Sequence, residues 1–233
     1  MGKIFEENPY QKEIKTKIKK IDVKEKAIEL EDTIFYGQSG GQPGDIGEII
    51  TDGRKIEVNN TIKSDGVIKN ILENIDNLNV NKEVTAKINW NKRYKHMRMH
   101  SALHLMCAAI PLSVTGGQIG FEKSRLDFND PEKKINKEEL EDKINKLMND
   151  DHKIIYELID SNILENQPEL VRTMSVKPPK VEEKLRFVKI GNIDFQPCGG
   201  THVKSTKEIG EIKIGKIENK GKMNRRVNIL IND

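Results

Sequence analysis

In the first ninety residues, short segments in which apolar and polar residues alternate are separated by turn-forming residue pairs. Of all the features of the sequence, this pattern restricts the possible folds most. Apolar or β-branched residues occupy every second position in much of "EIKTKIKKIDV" (13–23) and in "VTAKINW" (84–90). A period of two is typical of strands with one buried face. Asp-Gly pairs at 52–53 and 65–66 favour tight hairpin turns. We therefore predict a small β-barrel or β-sandwich domain over residues 1–90.

The pattern changes at Asn91, where a helical period replaces the period of two. "NKRYKHMRMHSALHLMCAAI" predicts a helix, because its apolar residues recur three or four positions apart and a proline follows it. The apolar stripe comprises Met99, Leu103, Met106 and Ile110, and the proline is Pro111.

The rest of the chain reads as a mixture of helix and strand. We predict a Gly-Gly turn at 116–117, a strand over 118–128, and a helix capped by Asn136. Its inward face comprises Leu140, Ile144 and Leu147, and further strands are predicted at 153–159, 184–190, 208–217 and 225–231. Residues 91–233 therefore form a second, α+β domain, with a largely antiparallel sheet packed against helices.

Composition excludes several classes of protein. No apolar run approaches the roughly 18 residues that span a membrane, and the N-terminus lacks an apolar signal segment. Two cysteines cannot form a disulfide framework, so we expect a cytoplasmic protein. The net charge is only +3, so any affinity for nucleic acid must come from local clusters of basic residues.

Two pairs of metal-ligating residues stand out. His100 and His104 are four positions apart on the predicted helix, about 40° apart around its axis, so both imidazoles can reach one ion. Cys198 and His202 flank a Gly-Gly pair that lets the backbone bend. Zinc favours such nitrogen and sulfur ligands.

Each pair also has an ordinary interpretation, since two histidines can pack beside a core and a lone cysteine is often a buried small apolar residue. Together the pairs favour a metal site assembled by the fold. Four protein ligands would close a structural site, whereas a catalytic zinc keeps a position for water. For catalysis we favour His100, His104 and Cys198 as ligands, with His202 as a fourth ligand or a proton carrier.

A glycine-rich loop spans residues 37–47, "GQSGGQPGDIG", with five glycines in eleven residues. This density indicates positive φ angles or close approach of a ligand to the backbone. The loop lacks the Gly-Lys-Ser/Thr signature of a phosphate-binding loop. An elaborate turn between strands is the alternative.

Four motifs in order resemble one family. "FYGQSGGQPGD", "RMHSALHL", "PCGGTHV" and "GKMNRRVNI" are similar to motifs in the editing region of alanyl-tRNA synthetase, and more closely to the free-standing AlaX-type trans-editing proteins of medium length, which carry the glycine-rich motif. The likeness covers nearly the whole chain. It implies an N-terminal β-barrel followed by an α+β editing domain.

The resemblance also implies an activity and a set of site residues. The activity is hydrolysis of mischarged alanine tRNA that carries serine, with glycine as a second candidate, at a Zn²⁺ site. The implied zinc ligands are His100, His104, Cys198 and His202, and Gln118 matches a position near the substrate. We expect Thr201 or Gln118 to bind the serine hydroxyl, and we place Cys198 and His202 in the catalytic centre.

Contacts with the tRNA are expected at the glycine loop and at two basic clusters. In the loop they are Gly40, Gly41 and Gln42. The clusters comprise Lys92, Arg93, Lys95 and Arg98, with His96 beside them, and Lys220, Lys222, Arg225 and Arg226. Each cluster is equally compatible with a solvated surface, and tRNA contacts there should depend on salt.

Two other hypotheses remain open. The chain could be a zinc-stabilised tRNA-binding module without catalysis, or an editing fragment of an alanyl-tRNA synthetase. Neither a membrane association nor a particular protein partner is predicted.

Overall fold

A computed structural model describes residues 2–173 and 184–232, and the chain divides into two compact units, Met1–Lys95 and His96–Asp233. The elements of the first unit are β1 (Gly2–Lys3), α1 (Ile4–Glu7), β2 (Glu13–Asp22), β3 (Ala27–Leu30), β4 (Asp32–Thr33), β5 (Gly47–Thr51), β6 (Arg54–Ser64), β7 (Val67–Leu72) and β8 (Glu83–Ile88). Helix α2 (Trp90–Ala109) begins in this unit and continues into the second.

The first unit is a closed barrel, which confirms the barrel that the family resemblance implies. Its six strands follow the order β2-β3-β7-β6-β5-β8, and β8 closes the ring against β2. Both Asp-Gly pairs form the predicted hairpin turns, with positive φ at Asp52 and Gly53 and again at Asp65 and Gly66. The alternating residues meet inside the barrel, where side chains such as Ile18 and Ile49 are fully buried.

The second unit is the predicted mixture of antiparallel sheets and helices. Its elements are β9 (Val114–Gln118), β10 (Ser124–Asn129), α3 (Lys137–Asn149), β11 (Ile154–Asp160), α4 (Ile163–Asn166), β12 (Lys184–Ile190), β13 (Asp194–Pro197), β14 (Ile212–Lys220) and β15 (Asn224–Ile231). They form two antiparallel sheets, β14-β15-β10-β9 and β11-β12-β13. The α+β class is therefore confirmed.

Helix α2 is buried on more than the predicted stripe. Nearly every side chain from Met97 to Ala109 is buried, as expected for a helix enclosed on all sides. Its C-terminal carbonyl groups are bound by cations, which suits the negative end of the helix dipole. Lys143 Nζ donates to Ala109 O at 2.7 Å, and Arg172 Nη2 donates to Cys107 O and Ile110 O.

Three local predictions were wrong. The Gly-Gly pair at 116–117 lies inside β9, because both residues pair with β10, and the turn falls at 119–123 instead. Helix α3 buries Met148 more fully than Leu147, where the turn Thr206–Ile209 packs on its end. That 3-10 turn also replaces the start of the strand predicted at 208, and β14 begins at Ile212. By contrast, the Asn136 cap is confirmed by its bond from Glu139 N.

Candidate metal centre

Two elements of the second unit supply the four candidate ligands. Helix α2 places His100 and His104 on one buried face, with ring centroids 5.2 Å apart. Strand β13 ends at Pro197, and the chain then turns through Gly199 and Gly200. This turn brings the His202 ring to 4.2 Å from the His100 ring and 4.6 Å from the His104 ring, centroid to centroid.

Two of the distances between the four candidate ligand atoms match those of a tetrahedral zinc site. All lie within 4.8 Å of one another. An ion about 2.05 Å from nitrogen and about 2.3 Å from sulfur holds those two atoms about 3.6 Å apart. The observed distances from Cys198 Sγ are 3.5 Å to His100 Nε2 and 3.3 Å to His202 Nε2. Three imidazoles and one thiol in this geometry therefore fit a zinc-sized cation.

Further hydrogen bonds orient the rings so that the ligand nitrogens face the centre. His104 Nδ1 lies 2.8 Å from Asp194 Oδ2, and Gln196 Nε2 donates to the same carboxylate. His202 Nδ1 lies 3.2 Å from Ser101 Oγ. When Nδ1 carries the proton for these bonds, Nε2 presents a lone pair to the ion, the usual arrangement behind metal-bound histidines.

The electrostatics of the centre favour the metal-binding forms of Cys198 and His202, whereas His104 favours its protonated form. Burial would raise the pKa of the Cys198 thiol, but the charges of His100 and His202 outweigh it and hold that pKa well below its ordinary value. Burial, aided by His100, lowers the pKa of His202 well below its ordinary value. Burial opposes protonation of His104, yet hydrogen bonds to Asp194 and Cys198 raise its pKa to about 10. The centre thus combines a thiolate with a neutral imidazole, the forms that bind metal.

Two side chains from neighbouring strands hold the ligand turn. Arg186 Nη1, from β12, donates to Cys198 O at 2.7 Å and to Gly200 O at 2.9 Å. Its guanidinium stacks on the Tyr156 ring of β11 at 3.8 Å. The Tyr156 hydroxyl accepts from His202 N at 3.1 Å. Gly200 N also donates to Cys198 Sγ at 3.4 Å, which stabilises the thiolate.

The glycine loop in the first unit is organised around a buried ion pair. Asp45 accepts hydrogen bonds from Tyr36 N at 2.6 Å and from the guanidinium of Arg93. Both charged side chains are almost completely buried. At the tip, Ser39 and Gln42 exchange backbone hydrogen bonds across Gly40 and Gly41, whose φ angles are +54° and +82°. The tip is a tight turn of the hairpin type.

Comparisons with known proteins identify the family. Residues 185–228 match the "Threonyl and Alanyl tRNA synthetase second additional domain" family, and residues 4–92 match "tRNA synthetases class II (A)". The chain is 34% identical to the alanyl-tRNA editing protein AlaX-M of Methanosarcina acetivorans, over 94% of both chains. It belongs to the AlaX family of alanyl-tRNA editing proteins.

Other relatives agree with this assignment, so the resemblance inferred from the motifs is confirmed. Identity to AlaX-M of Saccharolobus solfataricus is 35%, over 96% of both chains. The alanine–tRNA ligase of Methanococcus aeolicus is 34% identical over 92% of this chain, which covers 24% of that protein.

Other members of the predicted site have different environments. Gln118 is exposed at the end of β9, whereas Thr201 is fully buried next to His202. At the glycine loop, Gly40 and Gly41 are exposed but the Gln42 side chain is 1% exposed.

The arginines of the two basic clusters all donate to protein groups, whereas Lys92, Lys220 and Lys222 are exposed. Arg93 is buried on Asp45, so its assignment to an RNA surface was wrong, and Lys95 and His96 are buried too. Arg98 Nε donates to Ile209 O at 2.8 Å. In the other cluster Arg225 donates to Asn219 and Arg226 to Asp127.

Sequence reasoning missed the residues that hydrogen-bond to the candidate ligands and to the turn that carries them, although one signal was present. In "DFQPC", Asp194, Gln196 and Cys198 alternate, which places them on one face of an extended strand. A carboxylate on the face of a candidate cysteine ligand is the expected partner of a metal-bound histidine. Arg186 and Tyr156 had no such local signal.

Proposed function

We propose that this chain is a zinc-dependent hydrolase that deacylates alanine tRNA mischarged with serine, with glycine as a second candidate. The observation that carries the proposal is the convergence of His100, His104, Cys198 and His202 in a chain of the AlaX family. The soft sulfur and three imidazoles favour zinc over magnesium or calcium. We expect the reaction in the cytoplasm.

His100, His104 and Cys198 would hold the ion, and His202 has two possible roles. The bond from its Nδ1 to Ser101 and its complete burial support the role of a fourth ligand. The alternative is a proton carrier at Nε2. When bound, zinc supplies Lewis-acid chemistry that polarises an ester carbonyl and lowers the pKa of water to about 7.

Selectivity for serine over alanine requires a partner for the serine hydroxyl. A site that hydrogen-bonds a hydroxyl rejects the analogue without it by around 10⁴-fold. Gln118 and Thr201 are the candidates. The exposure of Gln118 supports it as the group that a substrate reaches directly, since Thr201 is enclosed in the ligand turn.

Ester loss from seryl-, glycyl- and alanyl-tRNA(Ala) tests the proposal, with elemental analysis of the same protein. We expect one zinc per chain and faster loss from seryl- than from alanyl-tRNA. Removal of zinc by a chelator should stop the reaction, and added Zn²⁺ should restore it. Acid should release the metal, because protons compete for the thiolate and imidazoles. Metal-free wild-type protein with full activity would refute the zinc mechanism.

A second function is favoured by one observation, the presence of four protein ligands, which is typical of a closed structural site. In that case the chain would bind tRNA without hydrolysing its ester. Zinc-loaded protein that binds tRNA(Ala) but leaves every ester intact would establish this alternative.

A further inference from the structure

One face of the sheet β14-β15-β10-β9 carries a paired arginine cluster that the metal centre does not use. Strand register places Gly116, Asp127 and Arg226 in one row across β9, β10 and β15. The next row on the same face contains Gln118, Arg125 and Asn228. Leu126 and Val227, whose positions alternate with these, are buried on the opposite face.

Asp127 fixes the two guanidinium groups. Its carboxylate accepts from Arg125 Nη1 at 2.7 Å and from Arg226 Nε and Nη2 at 2.8 and 2.9 Å. In the part of the chain that the structure describes, neither arginine donates to any other protein group. Each guanidinium has five N–H groups, so several remain available to solvent from a fixed position.

The charge of the cluster stays positive when its neighbours are included. Glu218 lies opposite Arg226 on β14, and Lys216 Nζ pairs with Glu218 at 3.5 Å. Three cations therefore face two carboxylates. The cluster differs from Arg93, Arg172 and Arg186, whose donors bind buried protein carbonyls or a carboxylate.

Gly116 leaves the backbone beside the cluster bare, although the fold does not require glycine there. A Cβ at Gly116 would make only ordinary contacts, the nearest at 3.5 Å from Asp127 Oδ2, and its φ is not in the positive range. Gly117 is different, since a Cβ there would press against Leu126 on the core side. A glycine inside a strand with no steric need suits close approach by a ligand.

We propose that Arg125 and Arg226 together bind a backbone phosphate of the tRNA, with Gly116 allowing close approach. Planar guanidinium groups match phosphate oxygens in pairs, and prior fixation by Asp127 lowers the entropic cost of binding. Gln118, next to Arg125 in its row, then faces the adjoining nucleotide. This inference rests on the proposed function, since it takes tRNA as the ligand.

Binding of uncharged tRNA(Ala) as a function of salt concentration tests the site without requiring hydrolysis or a loaded ester. We expect Arg125→Gln and Arg226→Gln each to weaken binding by roughly tenfold or more. Each should also reduce the magnitude of the salt slope, log Kd against log[salt], by about 1. The matched control is Arg54→Gln, an exposed arginine of the other unit, which should leave the slope unchanged.

Gly116→Val provides a second test that leaves the ion pairs intact. Valine suits a strand and meets no short contact at its Cβ, so melting should stay near wild type. Binding should nevertheless weaken several-fold. Folded variants at all three positions with wild-type affinity and slope would overturn the inference, while seryl-tRNA hydrolysis by the wild type would still support the proposed function. A wild-type chain that neither binds tRNA(Ala) nor hydrolyses its esters would overturn both.

Discussion

Two buried polar centres in the described part of the chain, one around Asp45 and Arg93 and the other around the candidate metal ligands, differ in whether their groups complement one another. In the barrel unit, the carboxylate of Asp45 faces the guanidinium of Arg93, whose other donors reach Pro9 O at 2.9 Å and Ile34 O at 2.6 Å. This centre is complete, because cation, anion and carbonyls satisfy one another.

The centre of the second unit has the opposite property. Cys198 Sγ faces the ring nitrogens of His100 and His202 at 3.5 and 3.3 Å, and Ser101 and Asp194 lie at hydrogen-bond distance from Nδ1 of His202 and His104. The sulfur and nitrogen atoms that meet there all belong to metal-ligating types, so this set complements a cation and not itself. Burial of polar groups therefore does not by itself mark a functional site, whereas a buried set of convergent metal-ligating side chains does.

The largest effect should come from removing the sulfur ligand. Cys198→Ala leaves three imidazoles, and we expect loss of stoichiometric zinc and deacylation of seryl-tRNA(Ala) at the rate without enzyme. Elemental analysis, ester loss and circular dichroism of the same preparation measure this. If the variant unfolds outright, the ion is structural, and the contrast with the barrel centre is weaker than we describe.

The barrel centre should respond through stability instead. Arg93→Met leaves Asp45 buried without its cation, so the free energy of unfolding should fall by about 3–5 kcal/mol. Zinc content of the folded protein should be unchanged. The control is the double variant Arg93→Met/Asp45→Asn, which should lose less than the sum of the two single variants in denaturant unfolding. Wild-type stability of Arg93→Met would show that the pair is not what holds the glycine loop.

A smaller effect, on zinc affinity, is expected from the residue that hydrogen-bonds to the candidate ligand His104. Asp194→Asn removes the charge that orients His104, and outer partners of this kind are worth about 10–100-fold in metal affinity. Competition with a chromophoric chelator measures the dissociation constant. Asp142→Asn, an exposed carboxylate on α3, is the matched control and should bind zinc as tightly as the wild type. Equal zinc affinities in the two variants would show that Asp194 does not contribute to zinc binding.

These two centres also show which site residues could be predicted from the sequence and which could not. The grouping of the four candidate ligands was predictable because His100 and His104 share a helix face, while Cys198 and His202 share one turn. Arg93 was misread, since a charged helical residue looks solvated until the fold supplies Asp45, 48 positions away. Arg186 and Tyr156 were invisible for the same reason. Their roles depend on the antiparallel pairing of β11 with β12, which only the folded chain establishes.

A small barrel or sandwich was predictable from alternation and from two Asp-Gly turns, both local signals, and the family resemblance then implied the barrel. The Gly-Gly pair at 116–117 shows the limit of such signals. Gly40-Gly41 and Gly116-Gly117 read alike in the sequence, yet one pair forms a turn with positive φ and the other lies inside a strand. What separates them is strand pairing, since Gly116 and Gly117 lie opposite Asp127 and Leu126 of β10.

The smallest effect, and the finest test of the comparison, concerns whether the glycine loop acts only as a turn. Gly41→Val forces a β-branched residue to adopt a φ near +82°, at a local cost of about 1–3 kcal/mol. Gly53→Val makes the same demand at the β5–β6 hairpin of the same barrel, where φ is +71°. Both variants should therefore melt at similarly lowered temperatures and keep their zinc.

Activity separates the two variants. If the exposed tip approaches the substrate, only Gly41→Val should also lose kcat/KM for seryl-tRNA(Ala). The loss should be roughly tenfold, the factor that corresponds to 1.4 kcal/mol of lost transition-state binding. Gln42→Ala is a poorer probe, because that side chain is buried and its removal would disturb packing. Equal activity in the two valine variants would mean that the glycines serve the turn alone, and that the barrel unit contributes a closed structural centre and no part of the reaction.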